Sequence, residues 1–155
     1  MKQKIITLNQ FITLKKSLSN TDKIVFTNGC FDVIHFGHID YLQKAKALGD
    51  YLVVGLNSDA SIKRLKGEKR PINPEWARAG VLNAIEAIDY IIIFEEDTPM
   101  LLIQNILPNI LVKGGDYTID NIVGAELVIQ HGGEVKTIPF VEGFSSSSII
   151  NKLMQ

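Results

Sequence analysis

Apolar residues in this chain follow two different spacings, and the switch between them outlines the fold. Leu8, Phe11, Ile12, Leu14 and Leu18 recur at helical intervals, which predicts a short amphipathic helix ending near Ser19 and Asn20. From there, short apolar runs rich in β-branched and aromatic residues occur at 24–27, 51–56, 90–94, 110–113 and 135–138. The stretches between them carry helical patterning. Apolar runs of this length read as strands covered on both faces, so the pattern predicts a five-stranded parallel sheet in a three-layer α/β/α arrangement.

Turn and cap residues agree with that division. Gly49 closes the helix that follows His38, while Asn73, Pro74 and Glu75 supply cap, first-position proline and first-turn acid for another. Thr98 and Pro99 repeat the opening signal, and the serines at 145–148 are placed to cap a last helix through Ile149, Ile150 and Leu153. With 155 residues, 46% of them hydrophobic, the chain is long enough for one cored domain. No repeat or linker divides it, so residues 1–155 are expected to form a single domain with 1–20 as an N-terminal helical appendage.

Charge and cysteine content narrow the partners. Sixteen basic residues against seventeen acidic leave a net charge of −1, which removes any bulk drive toward nucleic acid or an anionic membrane. No apolar run approaches the ~20 residues of a membrane span, and the start Met1-Lys2-Gln3-Lys4 has no apolar signal core. Cys30 is the one cysteine and cannot form an internal disulfide. These features lead to the expectation of a soluble, unprocessed, cytoplasmic protein.

Candidate chemistry gathers where the first strand ends. Ligands of parallel α/β sheets bind beyond the carboxyl ends of the strands, and the 24–27 run leads directly into Asn28, Gly29, Cys30, Phe31 and Asp32. Gly29 and Gly37 allow close backbone approach, and a helix starting near Phe36 turns unpaired N–H groups toward phosphate. His35 and His38, three residues apart, project from one side of its first turn. As hydrogen-bond donors to phosphate oxygens in a transition state, each is worth about 3–4 kcal/mol when well placed. No residue set has the spacing of a metal site, and phosphate contact is the preferred reading of the pair over metal ligation.

The segment Gly29-Cys30-Phe31-Asp32-Val33-Ile34-His35-Phe36-Gly37-His38 resembles the HxGH signature of the cytidylyltransferase-like nucleotidyltransferase superfamily. The likeness extends to residues 57–67, to Arg70-Pro71-Ile72-Asn73-Pro74, to Phe94-Glu95-Glu96-Asp97-Thr98-Pro99 and to residues 111–117. These are similar to the adenylyltransferase domain of ADP-heptose synthases, over roughly Lys23 to the end of the chain. The resemblance implies a Rossmann-like fold and transfer of AMP from ATP, with Mg²⁺, to D-glycero-β-D-manno-heptose 1-phosphate, releasing pyrophosphate. Bifunctional relatives also carry a sugar kinase, for which 155 residues leave no room. A separate protein would then supply the sugar phosphate.

Site roles follow from the same resemblance. His35 and His38 would contact the α- and β-phosphates, Lys66, Arg78 and Lys113 would clamp charge, and Gly29, Cys30, Phe31, Asp32 and Gly37 would form the nucleotide loop. Ser145, Ser146 and Ser147 stand in a stretch that resembles the family's Gly-x-Ser-Thr-Thr motif, with serine hydroxyls as phosphate donors. Asp116 reads equally as a contact to ribose or Mg²⁺ and as an ordinary turn aspartate. Cys30 reads as a packing residue rather than a nucleophile, since no partner base is evident. A homodimer is expected by analogy alone.

Two departures weigh against a cytidylyltransferase: Phe140 stands where glycerol-3-phosphate cytidylyltransferases carry arginine, and Cys30 where they carry threonine. The remaining alternatives are a cytidylyl- or adenylyltransferase for glycerol 3-phosphate or flavin mononucleotide, and a catalytically silent nucleotide-binding module.

Overall fold

The computed structural model describes residues 3–115 and 117–153, with the side chains of Ser147 and Leu153 left aside. In chain order the elements are α1 (Leu8–Lys15), β1 (Ile24–Gly29), α2 (Phe36–Lys46), β2 (Tyr51–Asn57), α3 (Asp59–Lys66), α4 (Glu75–Asn83), β3 (Tyr90–Phe94), α5 (Met100–Ile106), β4 (Ile110–Gly114), α6 (Ala125–Gln130), β5 (Glu134–Ile138) and α7 (Ser146–Leu153). The five strands pair in parallel in the order β3-β2-β1-β4-β5. The expected Rossmann-like α/β/α fold is present, and each strand lies within two residues of its predicted span.

Alternation along the strands builds two cores. Val25, Leu52, Val54, Ile91 and Val112 pack with Leu42 and Ala45 of α2 and Leu82 of α4 on one face. Ile24, Phe26, Val53, Ile92 and Leu111 meet Phe11 of α1, Ile103 of α5 and Val128 of α6 on the other. The N-terminal segment is firmly docked. Phe11 is fully buried and meets the Tyr90 ring edge-on, and Ile5 bridges to Ile91 at the outer edge of β3. The helix stops at Lys15, earlier than the apolar spacing suggests, because 16–22 continues as hydrogen-bonded turns.

The order of the strands reverses between β1 and β4, and there the ladder is short. β1 pairs with β2 along its whole length, from Ile24↔Tyr51 to Gly29↔Leu56, but with β4 only at Val25↔Ile110 and Phe26↔Leu111. Beyond Phe26 the two strands part. A side chain bridges the gap: the buried Tyr41 hydroxyl lies 2.6 Å from Thr27 Oγ1 and donates to the Val112 carbonyl at 3.3 Å. This parting opens the crevice expected at a topological switch point.

Two helix starts fall one residue later than the proline signal implies. Pro74 and Pro99 take the cap positions of α4 and α5 rather than the first helical turn. For α4 the reason is visible: the Asn73 side chain, expected as the cap, donates instead to the Asp32 carbonyl at 2.6 Å. Leu42 has no exposed surface and holds α2, with its histidine-bearing first turn, against the sheet. Leu42→Ala is expected to cost about 2–5 kcal/mol, read as a lower urea midpoint at unchanged slope.

Candidate active site at the strand switch point

A cavity of about 570 Å³ fills the crevice. Its centre is formed by Asn28, Gly29, Cys30 and Phe31 at the end of β1, with His35, Gly37 and His38 where α2 begins. One flank carries Asn57, Leu65, Lys66, Asp97 and Thr98; the other carries Lys113, Gly114, Tyr117, Phe140, Phe144, Ser145 and Ser146.

The two imidazoles are neighbours, with ring centroids 4.0 Å apart. His38 Nδ1 accepts a long hydrogen bond from the His35 backbone N–H at 3.4 Å. In the neutral ring this places the proton on Nε2, making that nitrogen a donor. Burial, with repulsion from His35 and Lys66, pushes the His38 pKa down to about 4. Burial also lowers His35, whose buried Nδ1 has no hydrogen-bond partner among the described residues. Both rings are therefore neutral donors near pH 7 until an anion arrives. Lys113 is lowered by burial too, against an opposing influence of Cys30, and its Nζ donates to Asn28 Oδ1 at 3.2 Å.

Glycines let the loop close on this centre. A Cβ at Gly37 would come within 3.1 Å of the His35 ring and 3.2 Å of Phe144 Cβ. Phe31 takes φ +46°, a left-handed conformation uncommon outside glycine. Its buried ring lies 5.4 Å from that of His38.

The sequence model of the cytidylyltransferase-like family matches residues 26–152. The chain belongs to that family. Among curated proteins it is similar to the bifunctional protein HldE of Marinomonas sp. (strain MWYL1), 58% identical over 139 residues, which is 90% of this chain and 29% of the relative. It is also similar to the HldE of Campylobacter jejuni (strain 81116 / NCTC 11828), 55% identical over 151 residues, 97% of this chain and 32% of the relative. The chain thus spans about three tenths of the length of these curated relatives. A lipopolysaccharide core biosynthesis protein from Thermoplasma volcanium superposes with a TM-score of 0.61 at 32% identity, covering 77% of this chain and 97% of that one. A pantoate-beta-alanine ligase from Francisella tularensis reaches 0.63 at 16% identity, covering 97% and 79%, and shares the fold. Cytidylyltransferase-like membership makes the chain a nucleotidyltransferase.

Within this cytidylyltransferase-like site, the structure brings together His35, His38, Lys66, Lys113, Gly29, Cys30, Phe31, Gly37, Ser145 and Ser146. Arg78 departs from its expected place as a phosphate contact. Its side chain has no exposed surface and does not line the cavity. The guanidinium donates to the carbonyls of Asn73, Cys30 and Asn57 at 2.9, 2.7 and 2.8 Å, and to Asp59 Oδ1 at 2.8 Å. Asp32 departs likewise. Its carboxylate is turned away to accept from the N–H groups of Ile72 and Asn73, with Arg70 at 3.5 Å. Both residues brace the loop from behind.

Ser145 Oγ accepts from the Ser148 N–H at 3.0 Å, the expected cap of α7. Ser146 Oγ donates to the Val33 carbonyl at 3.0 Å, so that hydroxyl proton ties α7 to the loop rather than standing free for phosphate. Asp116 and the Ser147 side chain lie outside the described residues. Sequence reasoning placed Asn28 at the start of the candidate loop but gave it no role, and missed that its side chain is the partner of Lys113. It also missed Phe144, which stacks on His35 with centroids 6.2 Å apart.

Arg78→Met would leave buried carbonyls and the Asp59 carboxylate without their donor. The expected loss is about 3–5 kcal/mol in denaturant unfolding. A second outcome concerns pH. The folded state holds the His38 proton less tightly than the unfolded chain, whose histidine titrates near 6.5. The corresponding stability is complete above about 6.5 and is lost as pH falls through about 4. Urea midpoints across that window should decline toward acid, and His38→Gln should flatten the decline.

Proposed function

We propose that this chain transfers AMP from ATP to D-glycero-β-D-manno-heptose 1-phosphate, with release of pyrophosphate. The observation that carries the reading is the neutral His35–His38 pair at the start of α2, facing a crevice flanked by Lys66 on one side and Lys113 on the other. The likeness of residues 57–67, 94–99 and 111–117 to heptose adenylyltransferases supports the acceptor. So do the HldE relatives and the Thermoplasma protein of lipopolysaccharide core biosynthesis.

In this reading the acceptor needs no activating base, since a phosphate monoester is largely dianionic with a second pKa of about 6. An acceptor phosphate oxygen bonds to the α-phosphorus of ATP as the bond from that phosphorus to the α,β-bridging oxygen breaks, its electron pair leaving with pyrophosphate. The protein's task is to hold two anions in line and to stabilise charge as it shifts. His38 Nε2–H and His35 would donate to the reacting phosphates. Lys113 and Lys66 would neutralise the two substrates from opposite flanks, and the first turn of α7 would add backbone donors.

Mg²⁺ belongs to the same proposal. Among the described residues no group of three or more His, Cys, Asp or Glu side chains converges as a metal site. The ion would be carried mainly by the triphosphate, as Mg²⁺ usually is. Among the described residues no helix is long and apolar enough to cross a membrane. A cytoplasmic setting and assembly as a homodimer complete the reading by analogy; exposed Trp76 and Val81 on α4 offer apolar surface for the latter.

The test is pyrophosphate release with Mg²⁺, offering ATP and CTP separately against heptose 1-phosphate, glycerol 3-phosphate and flavin mononucleotide. Turnover is expected with ATP and the heptose phosphate. Turnover with a different pair would replace the substrate, and silence with all would favour a nucleotide-binding module. His38→Ala should lower kcat by about 10²–10³-fold while leaving the KM for ATP nearly unchanged, as for a donor used in the transition state.

A further inference from the structure

The turn 95–98 after β3 has no role in the chemistry above, yet it is held with care. Ser61 Oγ, fully buried in α3, donates to the Glu96 carbonyl at 3.0 Å and accepts from Asn57 Nδ2 at 3.0 Å. Arg64, one helical turn on, donates through Nε to Asp97 Oδ1 at 2.7 Å and through Nη2 to the Glu95 carbonyl. Three hydrogen bonds from α3 thus fix a turn that presents Asp97 and Thr98 to the cavity. Asp97 Oδ2 has no partner among the described residues, and the side chain is 60% exposed.

Asp97 is out of keeping with its surroundings. It is the only carboxylate in the described cavity wall, whose other charged or protonatable nitrogen groups are His35, His38, Lys66 and Lys113. Such a wall is built for phosphate, and a carboxylate facing phosphate would repel it. An ionised carboxylate only accepts hydrogen bonds, and with Oδ1 already on Arg64 its complement within a phosphorylated substrate is a neutral group rich in donors. The hydroxyls of a sugar are such donors.

Position along the cavity says which substrate this concerns. Asp97 and Thr98 share their flank with Lys66, which lies close enough to His38 to lower its proton affinity. The opposite flank carries Tyr117, Phe140 and Phe144, aromatic surface suited to a base, and no carboxylate among its described residues. Phosphate held between Lys66 and the histidines leaves the rest of that substrate beside Asp97.

Resting on the function proposed above, we propose that Asp97 is a specificity-determining residue. It accepts hydrogen bonds from hydroxyls of the acceptor sugar, with the Thr98 hydroxyl beside it and Arg64 fixing its orientation. The substrate class it selects is a polyhydroxylated sugar phosphate, in preference to a phosphate on a chain with few hydroxyls.

The experiment is steady-state pyrophosphate release by the wild type, Asp97→Asn and Asp97→Ala, varying ATP and heptose 1-phosphate independently. Asp97→Asn keeps the size of the side chain and removes its charge; an unchanged KM for ATP reports an intact fold and nucleotide site. The KM for heptose 1-phosphate is expected to rise roughly tenfold or more, the scale of a lost hydrogen bond to a charged group, in both variants. An unchanged acceptor KM overturns the assignment and leaves the proposed reaction standing. Equal rises in both KM values overturn it as well, marking the Arg64–Asp97 pair as a structural tie. A wild type that turns over ATP with no sugar phosphate removes the proposed reaction and this assignment together.

Discussion

A guanidinium with no exposed surface has to satisfy its donors inside the protein, and Arg78 does so by drawing four segments to one point. The Cys30 carbonyl follows β1, the Asn57 carbonyl ends β2, Asp59 opens α3 and Asn73 precedes α4. Burying a charge this deeply is favourable only when every partner is in place. The demand therefore runs both ways: the loops position the arginine, and the arginine admits few arrangements of the loops. Asp32 adds a second tie between the same loop and residues 70–73. Between them they hold in place the backbone that leads to the histidines.

That bracing explains how the site can be built from glycine and loop without being loose. Phe31 keeps a left-handed backbone because its ring is buried, Asp32 is anchored and the Cys30 carbonyl is bonded. The side chains that face the cavity are left with few internal partners. Lys113 has Asn28, His38 has one long bond, and the His35 Nδ1 has none among the described residues. Tight support behind and unsatisfied polar groups in front are what a preorganised electrostatic site requires.

The strands were legible because fully covered parallel strands are continuous apolar runs, and 90–94 reads as β3 without a residue's error. The histidine pair was legible because its spacing and its place after β1 both point to a helix start. Direction was not. Arg78 and Asp32 have the residue types expected of a phosphate loop, but residue type fixes charge and leaves orientation open. Their partners lie up to 48 residues away in sequence, so the convergence that turns them inward exists only in the folded chain. The same holds for Ser146, whose hydroxyl is bonded to Val33 across 113 residues.

The short pairing of β1 with β4 leaves the sheet as two plates joined along a narrow seam, one plate bearing Lys66 and the other Lys113. Where backbone bonds would have continued the seam, the Tyr41 phenol pins Thr27 to Val112. Burial raises the pKa of that phenol to about 12, against a smaller opposing pull from its bond to Thr27. The pin thus keeps its proton through neutrality and into acid, where the imidazoles a few residues away take theirs up. The contact that replaces backbone pairing along the seam is therefore untouched by the acid-side change of charge at the histidines beside it.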